Sequence, residues 1–213
     1  MKKLLTSKWT KVAVFLVSSI PFVLLLWELL HNDLGINPVE TLQHTTGDWT
    51  LRFLIFTLAI TPLRKTLKLP ELIRFRRMLG LFGFFYVTLH FLTYLGPDQN
   101  FNFSGMWDDV AKRKFITVGF AAFVLLIPLA LTSTAGWIRR LGGKRWQTLH
   151  RLIYVCAILG VIHYYWLVKS DVRKPLIYAF LVGILLLWRV WDAYFRGKGK
   201  APAPARSGVS TVA

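Results

Sequence analysis

Three histidines stand where histidine is costly. His90 lies in the run LGLFGFFYVTLHFLTYL (residues 79–95), and His150 and His163 lie in HRLIYVCAILGVIHYYWLV (150–168). Both runs are apolar and long enough to cross a bilayer, where a polar imidazole needs a partner. One such histidine can find it in an interhelical hydrogen bond. Three in two segments, with few competing charged groups at the same depth, point instead to a metal-bearing cofactor. The other two of the five histidines, His31 and His44, fall in a polar stretch, 31–49, where an exposed imidazole needs no explanation.

The segments that must position these rings read as membrane helices. Of 213 residues, 54% are hydrophobic, and the mean hydropathy is +0.47. The apolar residues come in six blocks, at roughly 12–30, 50–63, 79–96, 115–132, 150–168 and 175–194. This predicts an all-α polytopic membrane protein, a bundle of six transmembrane helices spanning 12–195. The N-terminus opens like a signal peptide, but its apolar run continues to Leu30 with no small-residue cleavage signal, so it reads as a retained helix. Residues 1–11 form a short basic N-terminus, and the Pro/Ala/Gly-rich tail 196–213 reads as disordered.

The second block is short, and its charge-free part is only Phe53–Leu63, with Arg52 able to snorkel at one end. It could be re-entrant, but charge decides for a span. Lys and Arg number four in 1–11, six in 64–77, five in 139–151 and four in 196–213, against none in 31–49, three in 112–114 and three in 169–174. With six spans, nineteen basic residues lie on one side and six on the other. The positive-inside rule then puts both termini in the cytoplasm. The same placement explains the net charge of +17 as topology rather than nucleic-acid binding. Cys156 is the one cysteine, which leaves no intrachain disulfide and no cysteine-built cluster from this chain alone. No loop leaves room for a nucleotide-binding domain, so electrons or energy must come from a partner or the lipid phase.

Depth sharpens the cofactor reading. The third and fifth helices both run outward, and His90 and His163 fall at similar depth in the outer half. His150 opens the fifth helix at the cytoplasmic edge, about 20 Å from His163 along the axis. Imidazoles on two helices can hold one haem iron from both faces, which satisfies both rings. Gly83 and Cys156 each lie seven residues before a histidine, near two turns and so on the same face, and Gly160 is close to it. Small side chains there would admit a flat porphyrin, although they also suit ordinary helix packing in membranes. Thirteen residues leave His150 and His163 about 140° apart around an ideal helix. Either a tighter local turn aligns them or His150 faces elsewhere.

The strings RRMLGLFGFFYVTLHFLTYL and GGKRWQTLHRLIYVCAILGVIHYYWLV resemble the haem-binding membrane subunit of the bacterial periplasmic methionine sulfoxide reductase system, the MsrQ (YedZ) family. The resemblance covers nearly the whole six-helix chain. More distantly the chain is similar to the ferric reductase and NADPH oxidase transmembrane domain, whose fifth helix carries two histidines at this separation. The resemblance implies a b-type cytochrome of the bacterial inner membrane with one or two haems. It also implies FMN, and electrons taken from the quinone pool and passed to a periplasmic molybdopterin-containing methionine sulfoxide reductase that repairs oxidised proteins. The chain would be the electron-transfer subunit rather than the catalytic one. The implied haem ligands fall on His90, His150 and His163. The oxidase pattern would place another histidine at position 76, where this chain has Arg76, so the inner site lacks an obvious partner for His150.

Other readings stay open. Arg74, Arg76 and Arg77 could steady a flavin phosphate or haem propionates, or merely fix topology. The segments 31–49 and 97–114 could dock the partner, or be solvated loops with interface tryptophans. The chain could be a quinone-linked cytochrome b subunit of another oxidoreductase, or a ferric reductase, although it carries no flavin/NADPH domain. A non-redox alternative is a small proton-coupled transporter. That class favours mid-membrane acids, and only Glu28 comes near.

Overall fold

The computed structural model describes residues 2–198, and all regular structure among them is helical. Ten α-helices follow in order: α1 (Lys2–Thr6), α2 (Lys8–Leu30), α3 (Pro38–Thr66), α4 (Ile73–Thr93), α5 (Phe103–Lys112), α6 (Lys114–Leu131), α7 (Ala135–Leu141), α8 (Gly143–Leu149), α9 (Leu152–Leu167) and α10 (Arg173–Lys198). Among the described residues five segments are long and apolar enough to cross a membrane: Lys8–Leu30, Pro70–Asp98, Lys114–Leu131, Gly143–Leu167 and Arg173–Phe195. The protein is therefore a multi-pass membrane protein. The last helix continues through Lys198, and residues 199–213 of the expected disordered tail lie outside the described residues.

The second apolar block is the middle of α3, a 29-residue helix roughly 43 Å long. Most of the polar stretch 31–49, expected as a loop, is the first part of this helix, from Pro38 on. The start is written locally. Asn37 caps α3 by accepting from the Glu40 N–H at 3.4 Å, Pro38 takes the first turn, and Glu40 faces the positive helix end. Three threonines that lower the helix's hydropathy bond within it: Thr46, Thr50 and Thr57 donate to the carbonyls of Leu42, Thr46 and Phe53 at 2.6, 2.9 and 2.7 Å. Arg52 does not simply snorkel. It donates to the Tyr178 hydroxyl at 3.3 Å, lies 3.7 Å from Asp48 and covers the Trp49 ring.

Two antiparallel helix pairs make the frame. In α3 and α4, Phe53 stacks on Phe82 and Tyr86, each at 5.3 Å. In α6 and α9, Phe115 meets His163 near one end and Thr132 meets His150 near the other. A core of Leu54, Leu58, Val87, Leu126, Cys156 and Val182 draws α3, α4, α6, α9 and α10 together. The first helix of the expected bundle, α2, packs on this frame through Phe15 against Phe82 and through the Tyr86 hydroxyl, which donates to the Ser18 carbonyl. Outward rings and branched side chains such as Phe180, Leu187 and Val190 are exposed, as lipid-facing surface requires.

Candidate functional site

His90, near the end of α4, and His163, in the last third of α9, face each other with ring centroids 6.0 Å apart and planes at 80°. Two imidazoles bound to opposite faces of one metal, with bonds of about 2 Å, would put their ring centres about 6 Å apart. The tautomers are set by the backbone. Nδ1–H of His90 donates to the Gln43 carbonyl at 3.0 Å, and Nδ1–H of His163 donates to the Phe115 carbonyl at 2.7 Å. Both Nε2 lone pairs are thereby left for a ligand, the arrangement in which a metal-binding histidine gives its other nitrogen to a fixed acceptor.

The pair opens into a cavity of about 390 Å³ between α3, α4, α6 and α9. Its deep part is apolar, lined by Leu51, Leu54, Val87, Leu126 and Cys156. Its mouth is polar, with Gln43, His44, Asp48 and Arg113. Glycines bring the backbone close to the rings. A methyl group on Gly119 would meet His163 at 2.6 Å, and one on Gly47 would meet His90 at 3.2 Å. One on Gly160 would meet Leu51 at 3.0 Å. Among the described residues no three His, Cys, Asp or Glu side chains gather to hold a bare ion. Two imidazoles facing across an apolar slot instead suit a metal whose other ligands belong to a flat organic ring, so the residues fit a haem.

The remaining expected site residues lie elsewhere. Gly83 does not line the cavity; its Cα faces Leu54 and Phe53 of α3, so it serves helix packing. His150 sits at the break between α8 and α9, stacked on Trp146 at 3.9 Å with Nε2 3.0 Å from the Thr132 hydroxyl, and it too is outside the cavity. The chain takes the second of the two courses open to it, because the turn at 150–151 interrupts the helix and His150 faces α6. Arg77 is exposed on α4 at the opposite end from His90, and Arg74 donates to the Leu5 carbonyl at 2.8 Å. His31 caps α2 and stacks on Trp27, whereas His44 is helical and lies at the cavity mouth. Gly47, Gly119 and Gln43 carried no signal of their own, because only the folded α3 and α6 bring them against the rings.

Residues 46–161 match the family model described as ferric reductase like transmembrane component, a stretch that includes His90 and stops two residues short of His163. A relative from Herminiimonas arsenicoxydans is 54% identical over 91% of this chain and 90% of its own length. Relatives from Caulobacter vibrioides and Rhodospirillum rubrum are 50% and 48% identical, over 84% and 91% of this chain and 85% and 93% of theirs. Each is named as the protein-methionine-sulfoxide reductase heme-binding subunit MsrQ. This chain belongs to the MsrQ family. In this member of the MsrQ family His90 and His163 line one cavity, and His150 lies outside it.

Proposed function

We propose that the chain is a b-type cytochrome in which His90 and His163 hold one haem b, and that it carries electrons across the bacterial inner membrane. The observation that carries this reading is the facing pair at 6.0 Å with both Nδ1 atoms committed to carbonyls. Its relatives' identity as haem-binding subunits supports the choice of cofactor. Held by His90 and His163, a haem would supply one-electron relay rather than oxygen chemistry.

The chain's own residues do the rest. His90 and His163 present Nε2, and the Gln43 and Phe115 carbonyls hold each ring's orientation. Gly119, Gly47 and Gly160 keep the slot narrow without filling it, and Leu51, Leu54 and Val87 keep water from its floor. Electrons enter from the quinone pool and leave at the α5 end to a periplasmic molybdopterin-containing methionine sulfoxide reductase. All six apolar blocks span, α3 included, with both termini cytoplasmic. FMN, and any second haem, belong to the opposite end, where His150 offers a ligand and Arg76 and Arg77 offer positive charge. Arg76 lies within electrostatic reach of His150.

The test is His163→Ala, reduced with quinol beside the wild type. Loss of the bis-imidazole haem and of methionine sulfoxide reduction by the partner is expected. Unchanged haem content together with unchanged delivery to the partner would defeat the reading. The absorption spectrum of the purified protein separates the non-redox alternative, since a transporter would be colourless.

A further inference from the structure

Gln43 does two things at the cavity, and only one is satisfied. Its carbonyl holds the His90 ring, but its side-chain Nε2 is buried with no hydrogen-bond partner. A buried amide donor left unpaired costs about as much as a lost hydrogen bond, so such a group asks for an acceptor. The helix dictates where this one sits. Gln43, Gly47, Thr50, Leu51 and Leu54 recur at helical spacing along the cavity face of α3 and all line it. Gln43 is nearest the start of the helix, at the polar mouth, while Leu51 and Leu54 form the apolar floor.

Arg113, at the junction of α5 and α6, lines the same mouth. Its Nε pairs with Asp109 at 3.0 Å, which leaves the outer edge of the guanidinium free to take a second anion. The acids that share the mouth are largely engaged. Asp48 pairs with Arg52, and the Glu40 carboxylate accepts from the Asn37 amide at 2.9 Å. Asp98, which makes no ion pair among the described residues, and Glu40, whose amide partner is neutral, are the groups there that would oppose an anion, and the Arg113 guanidinium offsets them.

We propose that the amide of Gln43, with Arg113, binds the propionate carboxylates of the haem, so that the propionate edge faces the α5 end and the vinyl and methyl edge rests on the Leu51–Leu54 floor. Propionates are the only strong acceptors on a haem b rim, and an apolar slot with one polar mouth admits them in one direction. One side chain then ties two parts of the same group, because the α3 turn that orients His90 also grips the rim. This rests on the functional reading above, and the experiment separates the two.

The protein is loaded in membranes with haem b or with its dimethyl ester, in which the propionates can no longer accept as carboxylates, and transfer to apomyoglobin is timed. Wild type, Gln43→Leu and Arg113→Met are compared. The wild type is expected to lose the ester faster than haem b. Gln43→Leu is expected to release haem b about tenfold faster than wild type, while the two release the ester alike. If Gln43→Leu does not accumulate, the wild-type comparison of the two haems still decides. Equal loss of haem b and ester from wild type, or a Gln43→Leu penalty that persists in full with the ester, would overturn the proposal. A wild type with no bis-imidazole spectrum would overturn the functional reading and this proposal with it; a normal spectrum with haem loss insensitive to Gln43 would overturn this proposal alone.

Discussion

A methyl group at Gly119 would sit 2.6 Å from the His163 ring, closer than side-chain carbons come, so the ring would have to move. Moving it strains the bond from Nδ1 to the Phe115 carbonyl, and altered support of a metal ligand typically costs ten- to hundredfold in affinity. Gly119→Ala is therefore expected to lose haem at least about tenfold faster than wild type and to shift its midpoint potential, read by optical titration. Gly83→Ala is the control, since a methyl group there meets only Leu54 and Phe53 at 3.5 and 3.6 Å, which is ordinary contact. It is expected to retain haem as wild type does. The two glycines also show what the sequence can and cannot tell at this scale. Histidine in an apolar run announces itself by its cost. Gly83 shares a helix face with His90 as expected, but the cavity ends one turn below His90, at Val87, so Gly83 meets a neighbouring helix instead. Gly119 sits on a helix with no histidine, and its part exists only through packing.

Among the elements, α3 ties the most together. Its basic last turn meets α10, where Lys65 pairs with Asp192 and lies 5.1 Å from the Trp188 ring. Both side chains are 18% exposed, between the surface case, worth little, and the buried one, where an orphaned partner is costly. Lys65→Met is expected to destabilise the detergent-solubilised protein by about 1–2 kcal/mol, a fall of a few degrees in thermal midpoint. Lys65→Met with Asp192→Leu should cost less than the sum of the two single changes. Five of the apolar blocks were legible because each is long, charge-poor and flanked by charge, whereas the second is short and lies inside the longer α3. The start of α3 was not, since Glu40, His44 and Asp48 make 38–49 look like a loop. The cap Asn37-Pro38 with Glu40 is the local signal that a helix begins there.

For the molecule as a whole, the distribution of basic residues predicts the orientation. If nineteen of them mark the cytoplasmic side, a cysteine placed at Arg140 and one placed at Asn100 should react with a membrane-impermeant maleimide from opposite sides. Background from Cys156 should be slight, because its side chain is fully buried. Labelling of both from one side would mean that α6, the long apolar helix between them, does not span as proposed. That architecture matters because it carries the facing pair toward one end of the bundle, the end from which the proposed transfer would deliver its electron. The most direct measurement is the electron paramagnetic resonance spectrum of the oxidised protein, wild type beside His90→Ala and His163→Ala. The account requires a low-spin ferric signal from the wild type that disappears in both variants alike. Full retention of that signal in either variant would contradict it.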